Sequence, residues 1–210
     1  MINVIKKTAD EFFFLKEDIL STLSDFSTIE KIASKSYVHP NGFTKIVYDV
    51  HEDSICRLHI YPSGAVADKN IHDHRWDFSS TTICGSLPMS IYEIESGSTH
   101  ILHEYRKGVQ TGHSISRVGV CTATRSKLIW IPTQHGYYMP SDIFHRIEAV
   151  RELTITYVET YPAQSETCYL INEEDRSTDS NSDEYVPQPL SVAQTIEALL
   201  MIVNKIEEME

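Results

Sequence analysis

Two histidines one residue apart, His72 and His74 in Asn70-Ile-His-Asp-His-Arg-Trp-Asp-Phe78, form the pair best placed to do chemistry. In an extended strand, residues two apart project from the same face, so both imidazoles reach one point. A third ligand would close a site. Tyr138-Met-Pro-Ser-Asp-Ile-Phe-His145-Arg-Ile-Glu148 offers one, since it reads as a turn feeding a strand that starts near a histidine. Three neutral imidazoles suit Fe, Zn, Ni and Cu, and three protein ligands leave positions open for substrate. Trp76 and Phe78 share the parity of the histidine pair and are expected to line the pocket, whereas Asp73 and Asp77 fall on the opposite face of a regular strand.

The elements that must position these residues are mostly strands. Between Phe43 and Tyr161 the apolar residues come in short runs rich in β-branched and aromatic types: FTKIVY, ICRLHIY, FSSTTIC, MSIYEI, ILHEY, KLIWI and LTITYV. Gly and Pro punctuate them, at Pro62-Ser-Gly64, Gly85, Gly97, Gly108, Gly112, Pro132, Gly136 and Pro140. Short strands without crossover helices predict an antiparallel barrel or sandwich. Ahead of them, Thr8-Ala-Asp-Glu11 is a capping box before Phe12, Leu15, Ile19 and Leu23, which predicts a helix over residues 8–25. Ser27-Thr-Ile-Glu30 repeats the pattern and predicts a short second helix ending before His39-Pro40-Asn41-Gly42. Residues 172–184 are acidic and Ser-rich and read as a solvated linker. Ser191 and Gln194 then cap a last helix whose stripe, Ile196, Leu199, Leu200, Val203 and Ile206, is expected to dock on the barrel or on a second subunit. The expected organisation is a helical segment over 1–40, the barrel over 41–170, the linker over 171–190 and the helix over 191–210.

Composition narrows the function. The chain has 210 residues, and 18 Lys plus Arg against 30 Asp plus Glu give a net charge of −12. That charge repels phosphate backbones and anionic headgroups, so neither nucleic acid nor membrane is an expected partner. The longest apolar run, Ala198 to Val203, is far short of the roughly 20 residues that span a bilayer, and the amino terminus lacks a signal-peptide pattern, so a cytoplasmic location is expected. The four cysteines contain no CxxC pair and suggest neither a disulfide framework nor a structural zinc site. His39, His51, His100, His103 and His113 read as turn residues, while His59 and His135 could reach the pocket. Gly112-His-Ser114-Ile-Ser116 falls one residue short of a nucleophile elbow, and no phosphate-binding glycine loop is present.

Together, Ile71-His-Asp-His74, Gly85-Ser-Leu87 and Tyr138 through Glu148 resemble the two-part cupin signature, and in particular the thiol dioxygenases of the cysteine dioxygenase type. Tyr161-Pro162, with Cys168 downstream, is similar to the residues that close that family's barrel. The resemblance runs from about Phe43 to Cys168. It implies a jelly-roll cupin barrel in which His72, His74 and His145 hold Fe(II), with Zn or Ni as alternatives, and in which a small thiol takes up both atoms of O2 to give a sulfinic acid. The general cupin pattern places a Glu four or five residues after the second histidine; Phe78 and Ser79 stand there, which favours the three-histidine class.

By the same resemblance, Tyr161 is the phenol that hydrogen-bonds bound oxygen or substrate. Lys45, in a Thr44-Lys45 pair where the family has threonine and arginine, becomes the anchor for a substrate carboxylate, with Arg57 and Arg75 as alternatives. Lysine offers a point charge and lacks the planar fork of arginine, so the preferred substrate can differ. The family's cross-linking cysteine after the histidine pair is absent, and Glu159 replaces a histidine two residues before Tyr161. Two rival readings stay open: a three-histidine oxygenase acting on carbon, and a non-enzymatic cupin that binds a metal or ligand. A homo-oligomer through the last helix is also compatible with the sequence.

Overall fold

The structure is a computed structural model that describes residues 2–52, 54–68, 70–107, 113–174 and 188–209. Most of the acidic linker, together with Gly108 and Gly112, lies outside the described residues. No described helix is long and apolar enough to cross a membrane.

Helix α1 (Ala9–Leu23) starts where its capping box predicts, with the Thr8 N–H donating to Glu11 Oε2 at 2.8 Å. Helix α2 (Phe26–Lys35) starts two residues earlier than the Ser27 pattern suggests. Its cap is Asp25, whose carboxylate accepts from the Ser27 N–H at 3.0 Å and the Thr28 hydroxyl at 2.6 Å. A carboxylate outcompetes a serine hydroxyl there because it also meets the positive end of the helix dipole. Helix α3 (Val192–Glu207) uses the Ser191–Gln194 box.

Every strand pairing is antiparallel. The first sheet orders its strands β1 (Val4–Lys6), β9 (His135–Met139), β6 (Phe78–Cys84), β11 (Thr154–Thr160), β4 (Ile55–Tyr61), β3 (Thr44–Val50) and β2 (Tyr37–Val38). The second runs β10 (His145–Ile147), β5 (Ile71–His72), β12 (Thr167–Asn172), β7 (Ser86–Lys107) and β8 (His113–Pro132). The amino-terminal segment is therefore not purely helical: β1 adds an edge to the larger sheet and β2 pairs with β3.

Strand alternation sorts the larger sheet into two faces. Ile46, Leu58, Ile83 and Ile155 point outward into a core with Ile19, Ile32, Leu199 and Ile202 from the three helices. The stripe of α3 is thus buried within its own chain, leaving Leu200 and Met201 exposed. The other face meets the second sheet through Phe43, Tyr61, Phe78, Met89, Ile131 and Met139. This is the mainly β, antiparallel barrel that the run pattern predicts, in the jelly-roll form that the resemblance implies, with helices at both ends.

The largest departure from expectation is β7. MSIYEI and ILHEY read as two strands broken at Gly97, yet they form one 22-residue strand that pairs with the 20-residue β8 on both sides of residues 96–99. Gly97 sits at a register shift between Glu95 and His100, where a Cβ would run into the side chain of Thr122, so it marks a bulge and not a turn. His100 and His103 consequently lie on a strand, with His103 fully buried. The bends let β7 pair with β10 through residues 89–91 and with β12 through residues 101–106, so it flanks both sides of the β10–β5–β12 ribbon.

Gly85 is the single residue between β6 and β7, and there the chain passes from one sheet to the other. Its φ of +76° is a glycine conformation, and a Cβ would collide with the Leu153 carbonyl and Thr154 Oγ1. Replacing Gly85 with Ala is expected to lower stability by about 2 kcal/mol or more, as measured by urea unfolding.

Candidate metal centre

Pairing between β5 and β10 sets His145 directly opposite His72. His74 lies beyond the end of β5, where its N–H donates to the Ser141 carbonyl at 2.9 Å. That hydrogen bond ties the histidine pair to the turn before His145. Ring centroids are 4.6 Å apart for His72 and His145, 5.0 Å for His74 and His145, and 5.1 Å for His72 and His74. One nitrogen from each imidazole lies within 4.8 Å of the other two, a spacing that one metal ion could bridge.

Two of the rings are held by the backbone two residues upstream. His72 Nδ1 lies 3.2 Å from the Asn70 carbonyl, and His145 Nδ1 lies 2.9 Å from the Ile143 carbonyl. A carbonyl only accepts, so in each ring Nδ1 carries the proton and Nε2 keeps its lone pair for a metal. Burial, followed by the neighbouring His145 and His72, pushes His74 well below the usual imidazole range. Burial and then His72 lower His145 to about 3. Neutral rings are the form that metals bind, so His74 and His145 can ligate a divalent transition metal without first losing protons.

The two acids next to these histidines have structural partners. Asp73 accepts from the Tyr169 N–H and fastens the end of β5 to β12. Asp77 accepts from the Tyr138 hydroxyl and, at 2.7 Å, from the Ser141 N–H. Those bonds, that of Tyr138 foremost, hold its carboxyl below the usual carboxylate range. Asp77 therefore clasps the turn that delivers His145. The sequence places Asp77 only on the face opposite the histidine pair, and no spacing signal points to its partner Tyr138.

Trp76 and Phe78 both lie against the histidines. Phe78 meets His74 edge-on at 4.9 Å, and Trp76 stacks on His74 at 6.1 Å. The indole also lies between two guanidinium groups, Arg57 at 5.2 Å and Arg75 at 4.7 Å.

Lys45 lies opposite His59, with its ammonium 5.4 Å from the Tyr37 ring. Removal from water and then the charge of Arg57 lower it to about 7. Arg57 and His59 alternate with Leu58 on β4 and so face the barrel interior. The Nε of Arg57 and the Nε2 of His59 are buried without a hydrogen-bond partner. His39, expected in a polar turn, stacks on Phe43 at 4.5 Å and is lowered to about 4 by burial, then Lys45, then His72. The interior thus holds cationic and imidazole groups, and the groups that act on Lys45 and Arg57 are each other, Tyr37, Arg75 and Cys56, none of them a carboxylate.

Tyr161 is placed elsewhere. Its hydroxyl lies 2.7 Å from Ser79 Oγ, and the ring is 36% exposed beside Tyr138. Ser79 follows Phe78 on β6 and points to the opposite face, so the pleat of β6 separates Tyr161 from the histidines. His135, on β9, has its Nδ1 2.9 Å from the Thr133 carbonyl and is not brought to the cluster either.

A lysine whose folded pKa lies below its unfolded value takes up fewer protons when folded, so stability rises with pH between the two values. The metal-free protein is expected to gain stability from about pH 7 to pH 10 through Lys45, and Lys45→Met is expected to flatten that rise while stabilising most at or below pH 7. Urea unfolding across that range is the measurement.

No protein-family model matches the chain and no curated protein matches it. Among solved structures it is similar to a variant of oxalate decarboxylase from Bacillus subtilis, at 13% identity over 62% of this chain and 28% of that one, with a TM-score of 0.38. It is also similar to KdgF from a Halomonas species, at 11% identity over 59% and 83% of the two chains, with a TM-score of 0.34. A third likeness is to hydroquinone 1,2-dioxygenase from a Sphingomonas species with 4-hydroxybenzoate bound, at 7% identity over 57% and 65%, with a TM-score of 0.35.

Proposed function

We propose that the chain is a mononuclear non-haem iron dioxygenase of the cupin type that oxidises a small, cysteine-like thiol to its sulfinic acid. The observation that carries the reading is the convergence of three imidazoles, His72, His74 and His145, with both neighbouring carboxylates turned to other partners. In the balanced reaction, RSH and O2 give RSO2H, and both oxygen atoms end on sulfur. Bound Fe(II) would supply binding positions for the thiolate and O2 and would lower the cost of removing the thiol proton.

The chain's own residues orient the substrate. The three imidazoles hold one face of the metal, and the Asn70 and Ile143 carbonyls keep two of them in the ligating tautomer. Lys45 accepts the substrate carboxylate, with Arg57 beside it as a second cation whose Nε is free to donate. Trp76 and Phe78 form the wall against which the carbon chain rests and from which water is excluded. Tyr161 has no part in this scheme, because its hydroxyl belongs to the other face of β6.

Protein prepared without a histidine tag is expected to carry near-equimolar iron by plasma mass spectrometry and to consume O2 in step with sulfinate formation from small thiols. Single His72→Ala, His74→Ala and His145→Ala changes are expected to abolish metal retention. Oxygen uptake without sulfinate would indicate oxidation at carbon, and protein that neither retains metal nor gains activity with ferrous iron would be a binding cupin. Loss of one charge-assisted contact costs about 1.5–3 kcal/mol, so Lys45→Met is expected to raise KM for a carboxylate-bearing thiol roughly tenfold to a hundredfold. Cysteamine, which lacks the carboxylate, is expected to show little change.

A further inference from the structure

Behind the histidines, on the opposite side of β5 and β10, lies a second cavity of about 470 Å3. Its floor is Ile71 and Ile171, paired across β5 and β12. The pleat divides the two sites: Ile71 and Arg146 face this cavity, while His72 and His145, their neighbours in sequence, face the metal centre. Asn172 lines the cavity at 5% exposure, and both its Oδ1 and its Nδ2 are buried without a hydrogen-bond partner. An amide buried with neither end satisfied costs stability, which is the mark of a group kept for a ligand.

The other polar groups divide into donors and acceptors. Glu148 accepts from the Nε and Nη2 of Arg146 at 3.0–3.2 Å, leaving Nη1 without a partner among the described residues. His100 Nδ1 lies 2.8 Å from Thr99 Oγ1 and 3.4 Å from the Ala123 nitrogen, which leaves Nε2 as the ring nitrogen free to meet a ligand. On the acceptor side stand buried Asp68, whose carboxyl burial raises above its ordinary range and which also accepts from the Asn41 side chain and the Ile147 N–H, and the carboxylates of Glu173 and Glu174 at the rim. A lone cation would leave the donors unmatched, and a lone anion would meet three carboxylates. A zwitterion matches both halves, and the Asn172 amide can bridge them.

We propose that this cavity binds a free α-amino acid with an apolar side chain, its carboxylate toward Arg146 and His100, its ammonium toward Asp68, and its side chain on Ile71 and Ile171. The site is separate from the histidine cluster and does not depend on the reaction assigned there.

Calorimetric titration of the full chain with L-leucine tests the proposal, with 4-methylpentanoate and isoamylamine as probes that each lack one charge. L-leucine is expected to bind at one equivalent with Kd below about 1 mM, and each single-charge probe at least tenfold more weakly. Asn172→Leu is expected to abolish binding while the melting temperature is kept or raised, because an apolar group of similar shape removes the orphaned amide. Should that variant fail to fold, His100→Leu at the half-exposed edge of the cavity serves instead and is expected to weaken binding at least fivefold. His72→Ala is expected to bind L-leucine as the parent does. Binding lost in His72→Ala but kept in Asn172→Leu would place the ligand among the histidines and overturn the proposal. Equal binding of isoamylamine would reduce the cavity to a cation pocket, and no heat at about 10 mM ligand would remove the site altogether.

Discussion

The antiparallel pairing of β5 with β10 is the contact on which the rest of the centre depends. It is short, with β5 only two residues long and β10 three, yet it sets His145 against His72. Strands this short have little stability of their own, so their register is fixed by what flanks them. β12 and β7 hold the two outer sides of the ribbon, and Asp77 and the His74 N–H fasten the turn ahead of β10. His145 is buried and His72 and His74 are half-buried as a result, and removal from water holds His74 and His145 in the neutral, ligating form.

The electrostatic arrangement sets the interior against the exterior. In a chain of net charge −12, Lys45 and Arg57 lie inside the barrel, and among the described residues the groups that act on them include no carboxylate. Burying a cation unpaired costs free energy that packing must offset, and it leaves the pocket complementary to an anion. The aromatic walls reinforce that choice, since Trp76 already lies between two guanidinium groups and can share them with a ligand.

Much of this was legible in the sequence, and the parts that were not share a cause. The His-x-His spacing, the distant third histidine, the boxes at Thr8 and Ser191, and the alternation that carries Trp76 and Phe78 all rest on periodicities of one local element. Asp25 was missed as a cap because two overlapping cap patterns compete, and only the backbone shows which acceptor meets the free N–H groups. β7 was divided because Gly97 reads as a turn residue, whereas its reason for being glycine is Thr122 on the facing strand. Tyr161 was placed by its neighbours in sequence, but which face it joins is decided by the pleat of β6 and by Ser79. The roles of Asp77 and His39 depend on partners that no spacing in their own segments announces.

The long hairpin also ends a sheet. β8 is the outermost strand of its sheet, so its far edge presents hydrogen-bonding groups to any extended chain that approaches, along an element 20 residues long. Exposed side chains at Val118, Val120, Leu128 and Trp130 would favour such growth. Arg117, Arg125 and Lys127 stand exposed along the same strand. Two copies meeting edge to edge would bring like charges together, so these residues oppose growth of the sheet along this edge.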